Sequence, residues 1–432
     1  MPDKPDLNFI DLFAGCGGLS LGLENAGFTP VLVNELSPDA MDTYLANRDE
    51  RHPLLREKYK YHDVKELLAN RAKVLNTTIR EIKKDYKLDA RRGDIDLVVG
   101  GPPCQGFSGI GHRRSYGVDK KHLPSNHLYQ DMINVIKVVQ PKMFLFENVR
   151  GLLSARWTKD PSSPKIWDQV WREFSEIEGY NTAWKLISAG DYGVPQNRPR
   201  VFIVGIKSTI SARHAQFDFG REMNIENAIE CGLFPEGERG SAPNLEDLLG
   251  DLVDPEYMNG RLMTERYPNS AYTGIQRELR LHPGEKRHKI KRQLLTQHKY
   301  SKHSDRVKHR FQKLIDNDGV IQDEYKTKKF AQRLLPKQWG EAGPRITVTS
   351  LPDDYVHYEQ PRILTVREWA RLQTFPDWYQ FKGKRTTGGM QRAGNPRERI
   401  HEREVPRYTQ IGNAVPVELA RRIGEHFKLL LC

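Results

Sequence analysis

The stretch that decides the fold is Leu7-Asn-Phe-Ile-Asp-Leu-Phe-Ala-Gly-Cys-Gly-Gly18. Residues 7–14 are mostly apolar, which predicts a short buried strand. The glycines at its end predict a tight turn, and residues 19–26 a helix that Gly27 terminates. Val31–Glu35 predicts a second strand. Since a helix joins the two strands, they are expected to be parallel neighbours in a sheet.

The same alternation of strands and helices continues to about residue 207. It is typical of a doubly wound, Rossmann-like α/β sheet, whose ligands bind at the carboxyl ends of the strands. Residues 64–92 predict an inserted helical stretch, and 415–430 an amphipathic helix. Further helices are predicted over 37–50, 128–139 and 165–178, and further strands over Asp96–Gly100, Met143–Glu147 and Arg200–Gly205.

Composition limits the class of protein. A chain of 432 residues with 38% hydrophobic and 29% charged residues predicts a globular protein of two or three domains. No apolar run reaches the roughly 18 residues of a membrane helix, and no signal peptide opens the chain. The four cysteines are far apart in the sequence, which indicates neither a zinc site nor a disulfide framework. We expect a cytoplasmic protein that does not bind a membrane and has no metal.

The net charge of +12 is concentrated in one stretch. Residues 275–337 contain 18 Lys and Arg against 7 Asp and Glu, a net of +11. A solvated linker would account for such a run. Apolar residues within it argue for a folded segment, and we favour binding of a phosphate backbone. These possible anchors are Leu279, Leu294, Leu295, Val307, Phe311, Leu314 and Ile315.

The turn after the first strand predicts a nucleotide-like ligand. Its glycines allow the backbone to approach a ligand, and Glu35 could accept hydrogen bonds from a ribose. Ser20 stands where a dinucleotide motif has its third glycine, so another adenosine-containing cofactor remains open, as does a turn that serves packing alone.

Cys104 is the candidate nucleophile. It lies in Gly100-Gly-Pro-Pro-Cys-Gln-Gly-Phe-Ser108, directly after a predicted strand. Cations in the following loop would lower the pKa of its thiol, although a lone cysteine is more often a buried apolar residue.

A carboxyl group and two arginines complete the candidate site. Glu147 ends an apolar strand, where partial desolvation would raise its pKa and let it donate a proton. Arg198 and Arg200, at the start of the last strand, could bind a carboxylate, a phosphate or a base carbonyl.

Together these segments resemble the DNA (cytosine-5-)-methyltransferase family of the bacterial restriction-modification type. Six motifs occur in the family's order: Asp11–Gly18, Gly101–Ser108, Phe146–Val149, Gln196–Arg200, Arg362–Pro376 and Gln410–Pro416. They cover roughly a quarter of the chain and extend from end to end.

The resemblance implies S-adenosylmethionine as cofactor, with S-adenosylhomocysteine as product. The implied cofactor residues are Phe13, Gly15, Gly17, Gly18, Glu35, Pro103, Leu128, Asn413, Ala414 and Val415. The acid near the adenine amine is matched better by Asp63 than by Asp94, which lies close to Cys104 in sequence.

The resemblance also implies the reaction. Cys104 would add to carbon 6 of a flipped-out cytosine, while Glu147, Arg198 and Arg200 assist. Gln105 and Ser108 would contact DNA. Residues 1–207, completed by 404–432, would form the catalytic domain, and 208–403 the target-recognition domain. Duplex DNA would be the substrate of a monomeric enzyme, with a restriction endonuclease acting separately.

Three other functions remain open from the sequence: RNA methylation, a nicotinamide-dependent Rossmann enzyme and a non-catalytic DNA-binding regulator. The recognised DNA site does not follow from the sequence.

Overall fold

The computed structural model describes residues 7–88, 95–103, 124–158, 160, 162–212, 227–283, 294–325, 332–387 and 404–432. The main sheet has seven strands in the order β3-β2-β1-β4-β5-β7-β6. They are Leu7–Leu12 (β1), Phe28–Asn34 (β2), Lys60–Tyr61 (β3), Leu97–Gly100 (β4), Met143–Val149 (β5), Tyr180–Ser188 (β6) and Pro199–Lys207 (β7). This arrangement confirms the predicted Rossmann-like α/β fold.

The sheet is parallel from β3 to β5, but β7 runs antiparallel to both β5 and β6. Residues 189–198 join β6 to β7. They are too few for a helical crossover, so β7 turns back and inserts between β5 and β6. Strand β6 was not predicted from the sequence.

Helices cover the sheet and continue into the second half of the chain. In the described residues they are Gly18–Asn25 (α1), Pro38–Ala46 (α2), Pro53–Glu57 (α3), Val64–Asp85 (α4), Leu128–Val139 (α5), Ile166–Ser175 (α6), Ser208–Ser211 (α7), Leu245–Leu249 (α8), Gly274–Leu279 (α9), Asp305–Asp316 (α10), Val366–Arg371 (α11), Arg407–Asn413 (α12) and Val417–Leu431 (α13). The predicted helix at 64–92 is α4, which is kinked over residues 69–72. No helix in these ranges is long and apolar enough to cross a membrane.

The C-terminal helix α13 packs against α1. A Cβ atom added to Gly22 would lie 2.3 Å from that of Ala420, so glycine permits the close approach of the two helices. Leu419, Ile423 and Phe427 share an apolar core with β1 and β7. The two ends of the chain therefore build one side of the main sheet together.

The basic stretch is partly folded onto this body. Leu279, Leu295, Phe311 and Leu314 are buried, and Val307 and Ile315 are partly buried, whereas Leu294 is 72% exposed. Phe311 and Leu314 of α10 pack on Val356 and Ile363. The described part of this stretch is therefore not a solvated linker.

Candidate functional site

The turn between β1 and α1 is held by Glu35. Gly15 donates its backbone N–H to Oε2 of Glu35 at 2.8 Å, and Ser37 donates to Oε1 at 2.8 Å. Burial raises the pKa of Glu35, while these two hydrogen bonds oppose the rise. Phe13 and Gly15 adopt left-handed backbone conformations, with φ of 56° and 57°. The carboxylate therefore fixes the shape of the turn.

The three glycines of this turn are not equivalent. Among the described residues, a Cβ atom on Gly15 would meet nothing within 4 Å, so the turn leaves open space there. A Cβ atom on Gly18 would lie 2.3 Å from the backbone oxygen of Val415, and one on Gly17 would lie within 3 Å of three side chains. Gly15 thus borders space for a ligand, whereas Gly17 and Gly18 permit close packing within the protein.

The other predicted cofactor residues lie around the same sheet edge. Asp63 follows β3, which pairs with β2, the strand that Glu35 follows. Its carboxylate accepts a hydrogen bond from the N–H of Lys65 at the start of α4. Leu128 is the first residue of α5, and Pro103 follows β4.

The segment after α12 approaches the turn from the other end of the chain. Ala414 and Val415 are buried. Asn413 is exposed and accepts a hydrogen bond from Ser350 at 3.2 Å. The C-terminal motif therefore closes against α1 through the contact of Val415 with Gly18.

Glu147 and Arg200 form an ion pair at the carboxyl end of β5. Nε of Arg200 lies 2.7 Å from Oε1 of Glu147, and each side chain is 12% exposed. The residues come together because β5 and β7 pair antiparallel, with Glu147 opposite Phe202 and Val149 opposite Arg200. Burial raises the pKa of Glu147, and the positive charges of Arg200 and Arg198 oppose this rise. A carboxyl group poised in this way can donate a proton or a hydrogen bond.

Arg198 makes different contacts. Its guanidinium donates to the backbone oxygens of Val348 at 2.7 Å and Gly412 at 2.6 Å. It thereby ties the start of β7 to two distant segments of the chain. The side chain is only 2% exposed, and burial lowers its pKa. These contacts suit a residue that orients its neighbours.

The loop that leads to Cys104 is attached beside Glu147. Asn148 donates a hydrogen bond from Nδ2 to the backbone oxygen of Pro102 at 3.1 Å. A Cβ atom on Gly101 would lie 2.8 Å from Oε2 of Glu147, so a larger residue here would displace the Glu147 carboxylate. Cys104 itself, with Gln105 and Ser108, lies outside the described residues, as does Asp94. The described chain is therefore held beside Glu147 as far as Pro102, two residues before Cys104 in the sequence.

Several polar residues beneath the turn were missed from the sequence. Ser20 donates a hydrogen bond to Asp11, whose pKa is raised to about 7 by burial. Arg48, just after α2, and Tyr379, in the segment after α11, contact the turn. An acid inside an apolar strand could have signalled Asp11, but the contacts of Arg48 and Tyr379 depend on the tertiary structure.

The sheet, with an acid at the end of β2 and a carboxyl–guanidinium pair at the end of β5, defines a Rossmann-like α/β enzyme whose site lies at the carboxyl ends of its strands. The chain belongs to the C-5 cytosine-specific DNA methylase family, whose model matches residues 7–429. It is accordingly a C-5 cytosine-specific DNA methyltransferase.

Known relatives agree with this family. The Type II methyltransferase M.DdeI of Desulfomicrobium norvegicum is 30% identical, over 97% of this chain and 88% of the relative. M.BspRI of Lysinibacillus sphaericus is also 30% identical, over 97% and 80%. A crystal structure of a prophage-encoded E. coli protein, described as a candidate DNA modification methyltransferase, matches with a TM-score of 0.64 and 25% identity over 99% of both chains.

Proposed function

We propose that this enzyme transfers a methyl group from S-adenosylmethionine to carbon 5 of a flipped-out cytosine in duplex DNA, through a covalent adduct with Cys104. The observation that carries this proposal is the Glu147–Arg200 pair, 2.7 Å apart. It stands beside the loop that leads to Cys104. The recognised sequence would be a short specific site, because the relatives are named Type II methyltransferases. A restriction endonuclease of the same specificity would be its separate partner.

The turn at Gly15 fits an adenosine-containing cofactor. Open space borders Gly15, and Glu35 and Asp63 follow neighbouring strands, where carboxylates could meet a ribose and an adenine amine. S-adenosylmethionine would supply an electrophilic methyl group. Phe13, Pro103, Leu128 and the segment 413–415 would enclose it. Gly17 and Gly18 would shape the turn rather than touch the ligand.

The chain's own residues would make carbon 5 nucleophilic. The Cys104 thiolate adds to carbon 6 of cytosine, forming an S–C bond and moving the ring electron pair toward carbon 5 and nitrogen 3. Glu147 stabilises the charge at nitrogen 3 with its proton, and Arg200 binds the base carbonyl oxygen. After carbon 5 has taken the methyl group, a base such as water removes the proton on carbon 5. The electron pair of that C–H bond re-forms the double bond between carbons 5 and 6, and the S–C bond breaks to release Cys104 as the thiolate. Arg198 holds β7, and with it Arg200, in position.

Arg200 would exchange Glu147 for the base carbonyl when cytosine binds, and this exchange would favour protonation of Glu147. In the free enzyme the guanidinium pairs with the Glu147 carboxylate. When the base carbonyl accepts hydrogen bonds from Arg200, Glu147 is left with less positive charge to stabilise its ionised form. Its pKa then rises further, which favours the protonated carboxyl group that the reaction needs.

The rest of the chain would recognise DNA. We assign residues 1–207 with 404–432 to catalysis and 208–403 to target recognition. Residues 227–234 nevertheless pack beside the main sheet, through Ala228, Leu233 and Phe234. Gln105 and Ser108 would meet the DNA beside the flipped base.

Covalent trapping tests the proposal. A duplex with 5-fluorocytosine at the target cannot lose the group on carbon 5, so the wild-type enzyme should remain attached to it. The complex should survive denaturing electrophoresis and require S-adenosylmethionine. The target is first located by sequencing 5-methylcytosine in a plasmid from a methylation-free host. Trapping that persists in Cys104→Ala would overturn the role of Cys104, and transfer of methyl groups to tRNA instead would overturn the DNA assignment.

A further inference from the structure

The turn between β1 and α1 is held from below by two side chains that the reaction does not use. Arg48 donates from Nη2 to the backbone oxygen of Gly17 at 3.3 Å, and Tyr379 donates its hydroxyl to the backbone oxygen of Cys16 at 2.5 Å. Arg48 also donates to the Tyr379 hydroxyl at 3.0 Å. Adjacent carbonyl groups of the turn are therefore fixed by one connected pair of donors.

The pair is buried and rigidly supported. Both side chains are fully buried, and Nε of Arg48 donates to Glu24 at 2.7 Å. Gly17 has a φ of 84°, and a Cβ atom there would lie 2.9 Å from both Nη1 of Arg48 and the hydroxyl of Tyr379. The glycine at position 17 is therefore explained by this contact, without a ligand. Its backbone shape depends on Arg48 and Tyr379.

Tyr379 reaches the turn from the part of the chain assigned to target recognition. Its backbone oxygen accepts a hydrogen bond from Arg367 at 2.8 Å, and Arg367 also donates to Thr296 at 3.0 Å. Gln297, next to Thr296, donates to the backbone oxygen of Phe381 at 2.8 Å. The segment 379–382, which we call the connector, thus contacts the basic stretch on one side.

Helix α2 and Asn47, the residue that follows it, hydrogen-bond to the connector on its other side. Asn47 donates to the backbone oxygen of Gln380 at 2.8 Å and accepts from its N–H at 2.8 Å. Thr43 accepts from the N–H of Lys382 at 2.8 Å. The connector is therefore fixed in register against α2. This places the hydroxyl of Tyr379 at the turn.

We propose that Tyr379 and Arg48 are positioning residues that set the affinity for the cofactor by fixing the carbonyl groups of Cys16 and Gly17. This inference rests on the proposed function, because it takes the turn to be the S-adenosylmethionine site. While Arg48 and Tyr379 hydrogen-bond to these carbonyls, Phe13 and Gly15 keep their left-handed backbone conformations. Without these hydrogen bonds, the cofactor must order the turn when it binds, and the entropic cost of this ordering weakens binding.

Tyr379→Phe is the decisive variant, because it removes one hydroxyl and keeps the aromatic packing. We expect the dissociation constant for S-adenosylmethionine, measured by calorimetry without DNA, to rise about fivefold to tenfold. The dissociation constant for duplex DNA and kcat at saturating cofactor should stay within about twofold, so KM for the cofactor alone should rise. Arg48→Lys, which keeps the charge beside Glu24, should show a smaller rise.

Arg51→Ala is the matched control. Arg51 follows the same helix and is exposed, and its guanidinium lies 3.2 Å from Glu24 and donates to the backbone oxygen of Asn47 at 3.3 Å, not to the carbonyls of Cys16 and Gly17. It should leave cofactor affinity unchanged. Unchanged cofactor affinity in Tyr379→Phe would overturn the inference, and so would an equal loss of cofactor and DNA affinity, which indicates general disruption. If the wild-type protein binds no S-adenosylmethionine, the proposed function itself is wrong. If the wild-type protein binds it and the variants bind it equally well, the inference about Tyr379 and Arg48 is wrong and the proposed function stands.

Discussion

Glu147 lies where burial favours the neutral form of its carboxyl group, and its pKa is raised for this reason. We expect Glu147→Gln to bind DNA and cofactor like wild type but to methylate at least about 100-fold more slowly, the usual contribution of a general acid. Single-turnover methylation with saturating substrates measures this step. Wild-type rates in the variant would remove Glu147 from the chemistry.

The raised pKa of Glu147 also predicts how the methylation rate changes with pH. The protonated form is needed, so the single-turnover rate should fall as pH rises through this pKa. Because the shift is upward, the fall should begin at a higher pH than for an exposed glutamate. In Glu147→Gln the residual rate should lack this fall. A wild-type rate that does not decline with pH in this way would contradict a proton-donating role.

The short helix α11 and the residues just before it organise a large region of the chain through buried arginines. Arg362, Arg367 and Arg371 are all fully buried. Arg362 pairs with both oxygens of Glu368 at 2.7 Å, and the Glu368 side chain also caps the helix by accepting from the N–H of Thr365. The sequence predicted a family motif here. It could not reveal that its arginines would be internal, because their partners lie as far away as Asp251.

Asp251 holds two buried arginines and should be essential for stability. It lies 2.5 Å from Arg371 and also pairs with Arg280. Asp251→Ala would leave both cations without this carboxylate, and we expect it to cost about 3–5 kcal/mol of unfolding free energy. Urea denaturation followed by circular dichroism measures the change. Asp247→Ala, on α8 nearby, is the control and should cost less than about 1 kcal/mol; equal losses in both would contradict the role of the ion pairs.

Within the whole molecule, the sequence was sufficient to predict where the apolar strands that carry acidic residues end. Glu35 directly follows β2 and Glu147 lies near the end of β5, and the parallel order places both at one edge of the sheet. It did not foresee that Gly18 meets Val415 or that Arg198 contacts Gly412. Such contacts join residues far apart in the chain, so no local pattern encodes them.

The basic stretch, residues 275–337, is expected to bind the DNA backbone through its exposed cations. Lys299, Lys302 and Arg306 are exposed in the described part of the stretch. If they lie along the DNA backbone, reversing all three to glutamate should weaken binding. It should also flatten the slope of log K against log salt by up to about 0.9 for each phosphate that the protein no longer neutralises. Cofactor affinity should be unchanged.

The control reverses three exposed cations of α4, through Lys73→Glu, Arg80→Glu and Lys84→Glu, and so gives the same net charge at a different place. If only net charge matters, both triple variants will lose affinity and slope equally, and the basic stretch will have no special role. A flatter slope in the first variant alone would locate part of the DNA footprint there. Fluorescence anisotropy with a labelled duplex at several salt concentrations distinguishes the two outcomes. Long-range attraction and direct phosphate binding both weaken with salt, but only direct binding depends on where in the protein the charges are reversed.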